Sequence, residues 1–200
     1  MPQHSLQKGL HIVTPSQAIQ GLIEQLKQLA PRDFPSDQVF IALQEANLSL
    51  TDLDPYIFYA DGRYTRNRVY KSPDFELILM CWQGGQQSCV HGHEGQKCWM
   101  SVVAGTLEFS NYQDVHDGTA VVLTKTSTVV GSAGFIDGPA YIHGVRNATS
   151  ERALSLHLYA HPFSQCDAYD LCTHETKKVQ LCYHSIEGLL VSLSNIEDFK

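Results

Sequence analysis

The spacing of apolar residues changes along the chain, from a helical period near the start to a strand period over the remainder. Thr14 and Pro15 predict a helix start, because threonine caps free backbone amides and proline suits the first helical turn. The apolar residues that follow at helical spacing are Ile19, Leu22, Ile23, Leu26 and Leu29. A second helix is predicted from Ser36, and a short third piece over residues 51–56. Each has a single apolar face, so we expect these helices to pack on a larger body.

From about Tyr64 the apolar period becomes two, which is typical of strands. The predicted strands are residues 64–70, 75–82, 89–93, 98–103, 106–111, 120–124, 134–136, 145–147, 153–159 and 179–184. Asp-Gly and Gly-Gly pairs between them are turn signals, including one at Asp117-Gly118. Short strands with no helices between them predict a mainly β fold, either a sandwich or a barrel.

Length, composition and charge then narrow the class of protein. A chain of 200 residues, 43% of them hydrophobic, can form one domain with a large core and is not disordered. A net charge of −7 argues against nucleic acid or an anionic membrane as a partner. The start of the chain shows no signal peptide, and six cysteines are too few for a disulfide scaffold. We therefore expect a cytoplasmic monomer with reduced thiols.

Two histidines stand out for their position in a predicted strand. His91 and His93 are two residues apart, so their imidazoles leave the same face and can hold one metal ion. A His-x-His pair alone is a weak signal, but the residues around it follow a longer pattern. That pattern is Gly85, five residues, His91-Gly92-His93, four residues, Cys98, six residues and Gly105. It resembles the first motif of the cupin superfamily, with Cys98 where many cupins have glutamate.

A third histidine completes a candidate ligand set. His143, three residues and then Asn147 resemble the second cupin motif. Pro139 is one position off the usual spacing, so the pattern does not determine the intervening loop. An ordinary loop histidine is the alternative, and we interpret His143 as a metal ligand. Three histidines with open positions also describe hydrolytic zinc, so the metal stays open at this point.

The resemblance narrows to the cysteine dioxygenase family. The segments that carry it, besides the histidines, are Tyr64-Thr65-Arg66-Asn67, Leu79-Met80-Cys81-Trp82, Ser155-Leu156-His157-Leu158-Tyr159, Cys166 and Tyr183-His184-Ser185. It implies a single-domain cupin barrel over residues 1–200, with a helical N-terminal cap (1–56), a barrel core (57–188) and a C-terminal tail (189–200). It also implies an enzyme of cysteine and taurine metabolism that holds Fe(II) and converts L-cysteine and O2 to cysteine sulfinic acid.

The resemblance also assigns the substrate contacts. A guanidinium can hold a carboxylate with two parallel hydrogen bonds, but Arg63, Arg66 and Arg68 are equally suitable by pattern alone. The family match selects Arg66 as the carboxylate anchor. It further implies that Tyr64, two residues before Arg66, supports the substrate.

The strand at 153–159 alternates leucines with polar residues. Such a pattern by itself describes an ordinary surface strand with its polar side in water. The resemblance implies instead that Ser155, His157 and Tyr159 face the cavity as a relay that assists oxygen transfer. It also implies a thioether cross-link between Cys98 and Tyr159.

Other cysteines have smaller parts in this interpretation. Cys166 resembles a cysteine near the pocket mouth. Cys81, Cys89, Cys172 and Cys182 show no paired spacing and are interpreted as packing residues.

Three other functions are weighed against this one. In the first, the chain is a dioxygenase of another small thiol such as 3-mercaptopropionate. In the second, it is a non-catalytic metal-binding cupin. A DNA-binding cupin regulator is the third, and it is disfavoured because the N-terminal helices are not basic.

Overall fold

The computed structural model describes residues 13–116 and 121–191. The helices come first, and they are α1 (Gln17–Leu29), α2 (Ser36–Ala46) and α3 (Leu50–Leu53), with 3-10 turns at Ala30–Arg32 and Asp54–Tyr56. Helix α2 begins where the sequence predicts. Helix α1 begins later than predicted, because Ser16 rather than Thr14 caps it by accepting a hydrogen bond from the Ile19 amide.

All strands within the described residues follow the helices. They are β1 (Thr65–Lys71), β2 (Phe75–Trp82), β3 (Val90–Gly92), β4 (Cys98–Ala104), β5 (Thr106–His116), β6 (Val121–Ser132), β7 (Ile136–Ala140), β8 (Ile142–Arg146), β9 (Ala153–Ala160), β10 (Gln165–Tyr169), β11 (Thr176–Gln180), β12 (Ser185–Ile186) and β13 (Leu189–Leu190). One sheet has the order β13-β12-β1-β2-β9-β4-β7, and the other has the order β11-β10-β3-β8-β5-β6. This mainly β, two-sheet architecture with N-terminal helices confirms the predicted cupin fold.

Several strand predictions are wrong in their bounds. Strands β5 and β6 form a hairpin much longer than the predicted 106–111 and 120–124, and the turn predicted at Asp117-Gly118 lies outside the described residues. Residues 124–130 of β6 are exposed and mostly polar, so an apolar alternation could not reveal them as strand. Strand β10 was not predicted, and the strand predicted at 179–184 is instead Thr176–Gln180. The strands predicted at 134–136 and 145–147 are Ile136–Ala140 and Ile142–Arg146.

The division of the chain into cap, core and tail stays a prediction. Strand β13, Leu189–Leu190, lies at the start of the segment predicted to be a tail, and it pairs with β12. Residues 1–12 and 192–200 lie outside the described part. Within the part that is described, no helix is both long and apolar enough to cross a lipid bilayer.

The central strands of the seven-stranded sheet, β2 and β9, are buried on both faces. The outer face of the sheet carries Leu154, Leu156 and Leu158 of β9, which pack in one core cluster with the apolar sides of α1 and α2. The inner face faces the second sheet and contributes to a separate cluster with Phe109 and Val145. Every residue of β2 and β9 is therefore buried. The helices turn the leucine side of β9 into core and leave its polar side for the barrel interior.

A buried side-chain amide ties the C-terminal strands to β1. Asn67 is fully buried, donates to Thr65 Oγ1 at 2.9 Å and accepts from Ser185 Oγ at 2.8 Å. Strand β12 runs parallel to β1, with Ser185 directly beside Asn67. This contact holds β1 between β2 and the end of the chain, and it thereby positions the neighbouring residue, Arg66.

We predict that Leu26→Ala lowers the free energy of unfolding by about 2–5 kcal/mol, as for buried leucines generally. Leu26 is fully buried between α1 and the sheet. Ile41→Ala on α2 is the matched control, because Ile41 is 51% exposed. We expect it to change stability by about 0.5 kcal/mol or less. Urea unfolding measures both, and equal effects would show that the helices do not share a core with the outer face of the sheet.

Candidate metal centre and substrate cavity

Three histidines from two neighbouring strands converge inside the barrel. Strands β3 and β8 are antiparallel, and His91 lies directly opposite His143. His93 follows β3 by one residue and lies on the same side. The nearest ring nitrogens of the three residues all lie within 4.8 Å of one another. The strand register therefore creates a site that can hold one metal ion.

Backbone carbonyls determine which nitrogens face that site. His91 Nδ1 lies 3.0 Å from the Cys89 carbonyl oxygen, and His93 Nδ1 lies 3.0 Å from that of Ala140. A carbonyl oxygen can only accept, so both Nδ1 atoms carry the hydrogen and both Nε2 lone pairs are free. His93 Nε2 and both ring nitrogens of His143 are buried with no hydrogen-bond partner among the described residues. A metal ion would supply the missing partner of His93 Nε2 and of one ring nitrogen of His143.

Burial keeps all three imidazoles neutral. Desolvation lowers the pKa of His91 to about 4 and that of His93 to about 3. It lowers the pKa of His143 well below the ordinary value, and the neighbouring His93 and His91 add to the effect. Neutral imidazole is the form that binds metal, so the set is ready for a cation near neutral pH.

A cavity of about 260 Å³ opens beside the histidines. His91, Tyr64, Arg66 and Tyr159 all line it, together with Tyr183 from the chain's C-terminal region. The structure thus brings residues of four separate segments to one space that suits a small molecule.

Arg66 differs from the two arginines near it. Its side chain is 8% exposed, and its Nε and Nη2 have no hydrogen-bond partner in the described part of the chain. The guanidinium carbon lies 5.6 Å from the centre of the Tyr159 ring. Arg63 is exposed, and Arg68 pairs with Glu187 at 3.2 Å. Arg63 and Arg66 both line the cavity, and Arg66 is the buried one, with two free donors.

The polar face of β9 forms the first part of the predicted relay. Trp82 Nε1 donates to Ser155 Oγ at 2.9 Å, and Ser155 Oγ lies 2.8 Å from His157 Nε2. Indole only donates, so Ser155 Oγ accepts from Trp82. The contact between Ser155 Oγ and His157 Nε2 holds the imidazole ring in place whichever of the two atoms donates.

The second part of the predicted relay, between His157 and Tyr159, has no direct hydrogen bond. The rings of His157 and Tyr159 are nearly parallel, with centres 6.1 Å apart. His157 Nδ1 and the Tyr159 hydroxyl each lack a hydrogen-bond partner among the described residues. The structure therefore places the two groups side by side without a direct hydrogen bond between them.

Trp82 is a site residue whose role the sequence did not reveal. Besides its bond to Ser155, its ring stacks on Tyr64 with centres 4.4 Å apart. It thus supports both a cavity wall and the relay. Its place on β2, two residues after the inward-facing Met80, indicates that Trp82 also faces the interior. Its hydrogen-bond partner Ser155 is 73 residues away in sequence, so local spacing could not predict the contact.

Cys98 and Tyr159 are neighbours across two strands. They lie directly opposite each other in the register of β4 and β9, and both are buried. Burial raises the pKa of the Cys98 thiol and holds that of the Tyr159 phenol well above its usual range. Both groups are therefore protonated near neutral pH.

The remaining cysteines have different surroundings. Cys166 is buried and lines the cavity, and Cys89 and Cys182 line it as well. Cys81 is buried, as a packing residue should be. The packing interpretation is wrong for Cys89 and Cys172, which are exposed because each lies in a connection next to a strand end.

Comparisons with known proteins point in one direction. Residues 10–172 match the family model described as cysteine dioxygenase type I. Human cysteine dioxygenase type 1 is 30% identical over 177 residues, which cover 84% of this chain and 86% of the human protein. The rat enzyme of the same name is 28% identical over 165 residues, covering 78% and 82%.

A solved structure from Klebsiella pneumoniae with a double-stranded β-helix domain is 22% identical, with a TM-score of 0.44. It covers 55% of this chain and 86% of its own. The family match, in contrast, extends over most of the chain and includes both strands that carry the histidines. The chain belongs to the cysteine dioxygenase family.

Proposed function

We propose that this chain is an Fe(II)-dependent cysteine dioxygenase that converts L-cysteine and O2 into cysteine sulfinic acid. One observation carries the proposal: three neutral imidazoles converge beside a cavity in which a buried arginine has free donors. The histidines suit a metal ion, and the arginine suits a carboxylate. Family membership supports iron over zinc and supports cysteine among small thiols.

His91, His93 and His143 would hold the metal. They contribute no negative charge, unlike the two-histidine, one-carboxylate set that is common among iron oxygenases. A substrate that binds as a thiolate supplies the missing anion, which favours thiols over neutral ligands. When bound, Fe(II) supplies the open positions at which the thiolate and amine of cysteine and O2 meet.

Arg66 would orient the substrate through its carboxylate. Its free Nε and Nη2 hydrogens lie on one edge of the planar guanidinium, which matches the two oxygens of a carboxylate. Tyr64 would support the substrate from the cavity wall, where its stack on Trp82 holds the ring in place. These contacts direct the sulfur and amine of cysteine towards the histidines.

Tyr159, His157 and Ser155 would assist oxygen transfer. Tyr159 lines the cavity and keeps its proton, so its hydroxyl can donate to the bound substrate. The hydrogen bond between Ser155 and His157 Nε2 holds the His157 ring beside Tyr159. Ser155 and His157 are thus positioning residues, and Tyr159 is the one that touches the substrate.

A thioether between Cys98 and Tyr159 would hold that phenol in one orientation. Its formation removes the thiol hydrogen of Cys98 and one ring hydrogen beside the Tyr159 hydroxyl, and O2 accepts the two electrons. The supporting observation is the direct opposition of the two buried residues across β4 and β9.

We further infer that the enzyme works as a cytoplasmic monomer in cysteine and taurine metabolism. The net charge of −7 favours separation of copies, and the free thiols suit a reducing compartment.

The activity is tested with purified protein and three thiols: cysteine, 3-mercaptopropionate and cysteamine. We expect O2 uptake to be greatest with cysteine, with sulfinate detected by mass spectrometry. A chelator should abolish uptake, and added Fe(II) but not Zn(II) should restore it. Cysteine as the poorest of the three would refute the proposed substrate. No uptake with any thiol by iron-loaded protein would refute the activity.

We expect Arg66→Gln to raise the KM for cysteine about 10- to 100-fold, because a bond between charged groups is worth roughly 1.5–3 kcal/mol. Iron content should not change, since Arg66 is not among the candidate ligands. Arg68→Gln on the same strand is the matched control and should leave KM within about twofold, as expected for a partly exposed pair. Steady-state kinetics and elemental analysis check both, and equal loss of iron and affinity would mean that Arg66 is structural.

The cross-link is measured by intact mass and peptide mapping after incubation with Fe(II), cysteine and O2. We expect a mass lower by two hydrogen atoms and a linked peptide pair containing Cys98 and Tyr159. Cys98→Ser should remove the mass loss, whereas Cys166→Ser, which alters another buried cavity thiol, should keep it. An unchanged wild-type mass after turnover would contradict the cross-link.

A further inference from the structure

A carboxylate lies inside the barrel, beyond the residues already assigned. Glu76 is fully buried near the start of β2, in the inward row that continues through Ile78, Met80 and Trp82. In the sheet register it is directly opposite Tyr159. An ionised side chain at such a position is costly unless nearby groups compensate it.

Two groups contact the Glu76 carboxylate. The Tyr183 hydroxyl donates to Oε2 at 2.5 Å, and Lys71 Nζ lies 4.0 Å from the same oxygen. Oε1 is buried with no hydrogen-bond partner in the described part of the chain. Lys71 is 38% exposed on its side chain, so water screens its charge. Glu76 therefore has one hydrogen-bond donor and one screened cation as its partners inside the barrel.

Glu76 affects the pKa of Arg66 without a direct hydrogen bond between the two side chains. Burial lowers the pKa of Arg66, but the nearby Tyr159, Tyr64 and Glu76 groups raise it by more. Of these, Glu76 is the carboxylate, the type of group that is ordinarily ionised at neutral pH. Arg66 Nε and Nη2 nevertheless stay unpaired among the described residues, so they are free for a ligand. Glu76 thus offsets the charge of Arg66 while leaving its donors available.

The charge around Arg66 affects how tightly the cavity holds the product of the proposed reaction. Free cysteine is a neutral zwitterion near pH 7, because its thiol has an ordinary pKa of about 8.5. Cysteine sulfinate carries one more negative charge. An uncompensated buried guanidinium would therefore retain the sulfinate, which leaves as an anion, more tightly than a compensated one.

We propose that Glu76, held by Tyr183, limits how tightly Arg66 retains anionic ligands and so promotes release of the sulfinate product. Glu76 is a positioning residue in this role, since it acts through Arg66 and does not touch the ligand. The inference rests on the proposed function, which supplies the product.

The test measures equilibrium binding of cysteine sulfinate to the iron-loaded enzyme by isothermal titration calorimetry. We expect Glu76→Gln, which removes the charge and keeps the shape, to bind the sulfinate roughly tenfold more tightly. Binding of 2-aminoethanesulfinate, which lacks the carboxylate that Arg66 would hold, should change less. Glu187→Gln removes an exposed acid on the other side of Tyr183, and it should leave both affinities unchanged.

The sign of the change separates charge from structure. If Glu76 were only structural, its replacement would disorganise Arg66 and weaken sulfinate binding. Weaker or unchanged binding by folded, iron-loaded Glu76→Gln protein would therefore overturn the inference. Lys71→Gln gives a second measurement should Glu76→Gln not fold. It removes a cation that water already screens, so we expect sulfinate binding that is equal or weaker, and tighter binding would overturn the inference.

The wild-type enzyme distinguishes this failure from failure of the proposed function. Wild-type protein that neither oxidises cysteine nor binds the sulfinate would refute the function itself. Wild-type protein that does both, with no tightening in Glu76→Gln, would refute the role of Glu76 alone.

Discussion

The metal centre depends on the cost of placing charge inside the barrel. Three imidazoles can sit together there because burial keeps them uncharged, and because the register of β3 and β8 places His91 and His143 face to face. Two backbone carbonyls take the Nδ1 hydrogens and leave Nε2 lone pairs facing inward. A cation completes this arrangement, and its uncompensated charge then favours an anionic ligand. The preference for a thiolate thus follows from the ligand set.

The same low-dielectric interior controls the other charges of the cavity. Arg66 is buried with free donors, and Glu76 is buried on the neighbouring strand with Tyr183 and Lys71 as its contacts. In a low-dielectric interior, a buried cation and a buried anion each lower the cost of burying the other. The N-terminal helices make this interior possible, since they cover the outer face of the seven-stranded sheet.

The sequence predicted the parts of the site that depend on short spacing. The His91–His93 pair and the alternation of Ser155 with His157 both follow from the two-residue period of a strand, and the cupin motif added His143. Contacts between distant segments were not predictable in this way. The bond from Trp82 to Ser155 depends on the pairing of β2 with β9. In the sequence, Glu76 is a single acid within an apolar run. Only the strand register, which places it opposite Tyr159, shows that it lies inside the barrel.

The fold shows the same division. The helices and the central strands were predictable because each buries a regular apolar stripe. The outer part of the β5–β6 hairpin was not, since its exposed polar residues carry no such stripe. The cap of α1 was misplaced by two residues because Thr14 and Ser16 are both suitable caps, and the local backbone decides between them.

The central claim is that His91, His93 and His143 hold one Fe(II) ion that binds cysteine through sulfur. X-ray absorption at the iron edge, recorded on anaerobic protein before and after addition of cysteine, tests it most directly. We predict one iron per chain with three imidazole nitrogens, and an added sulfur ligand once cysteine is present. Iron that shows no imidazole ligands, or the same spectrum with and without cysteine, would contradict the account.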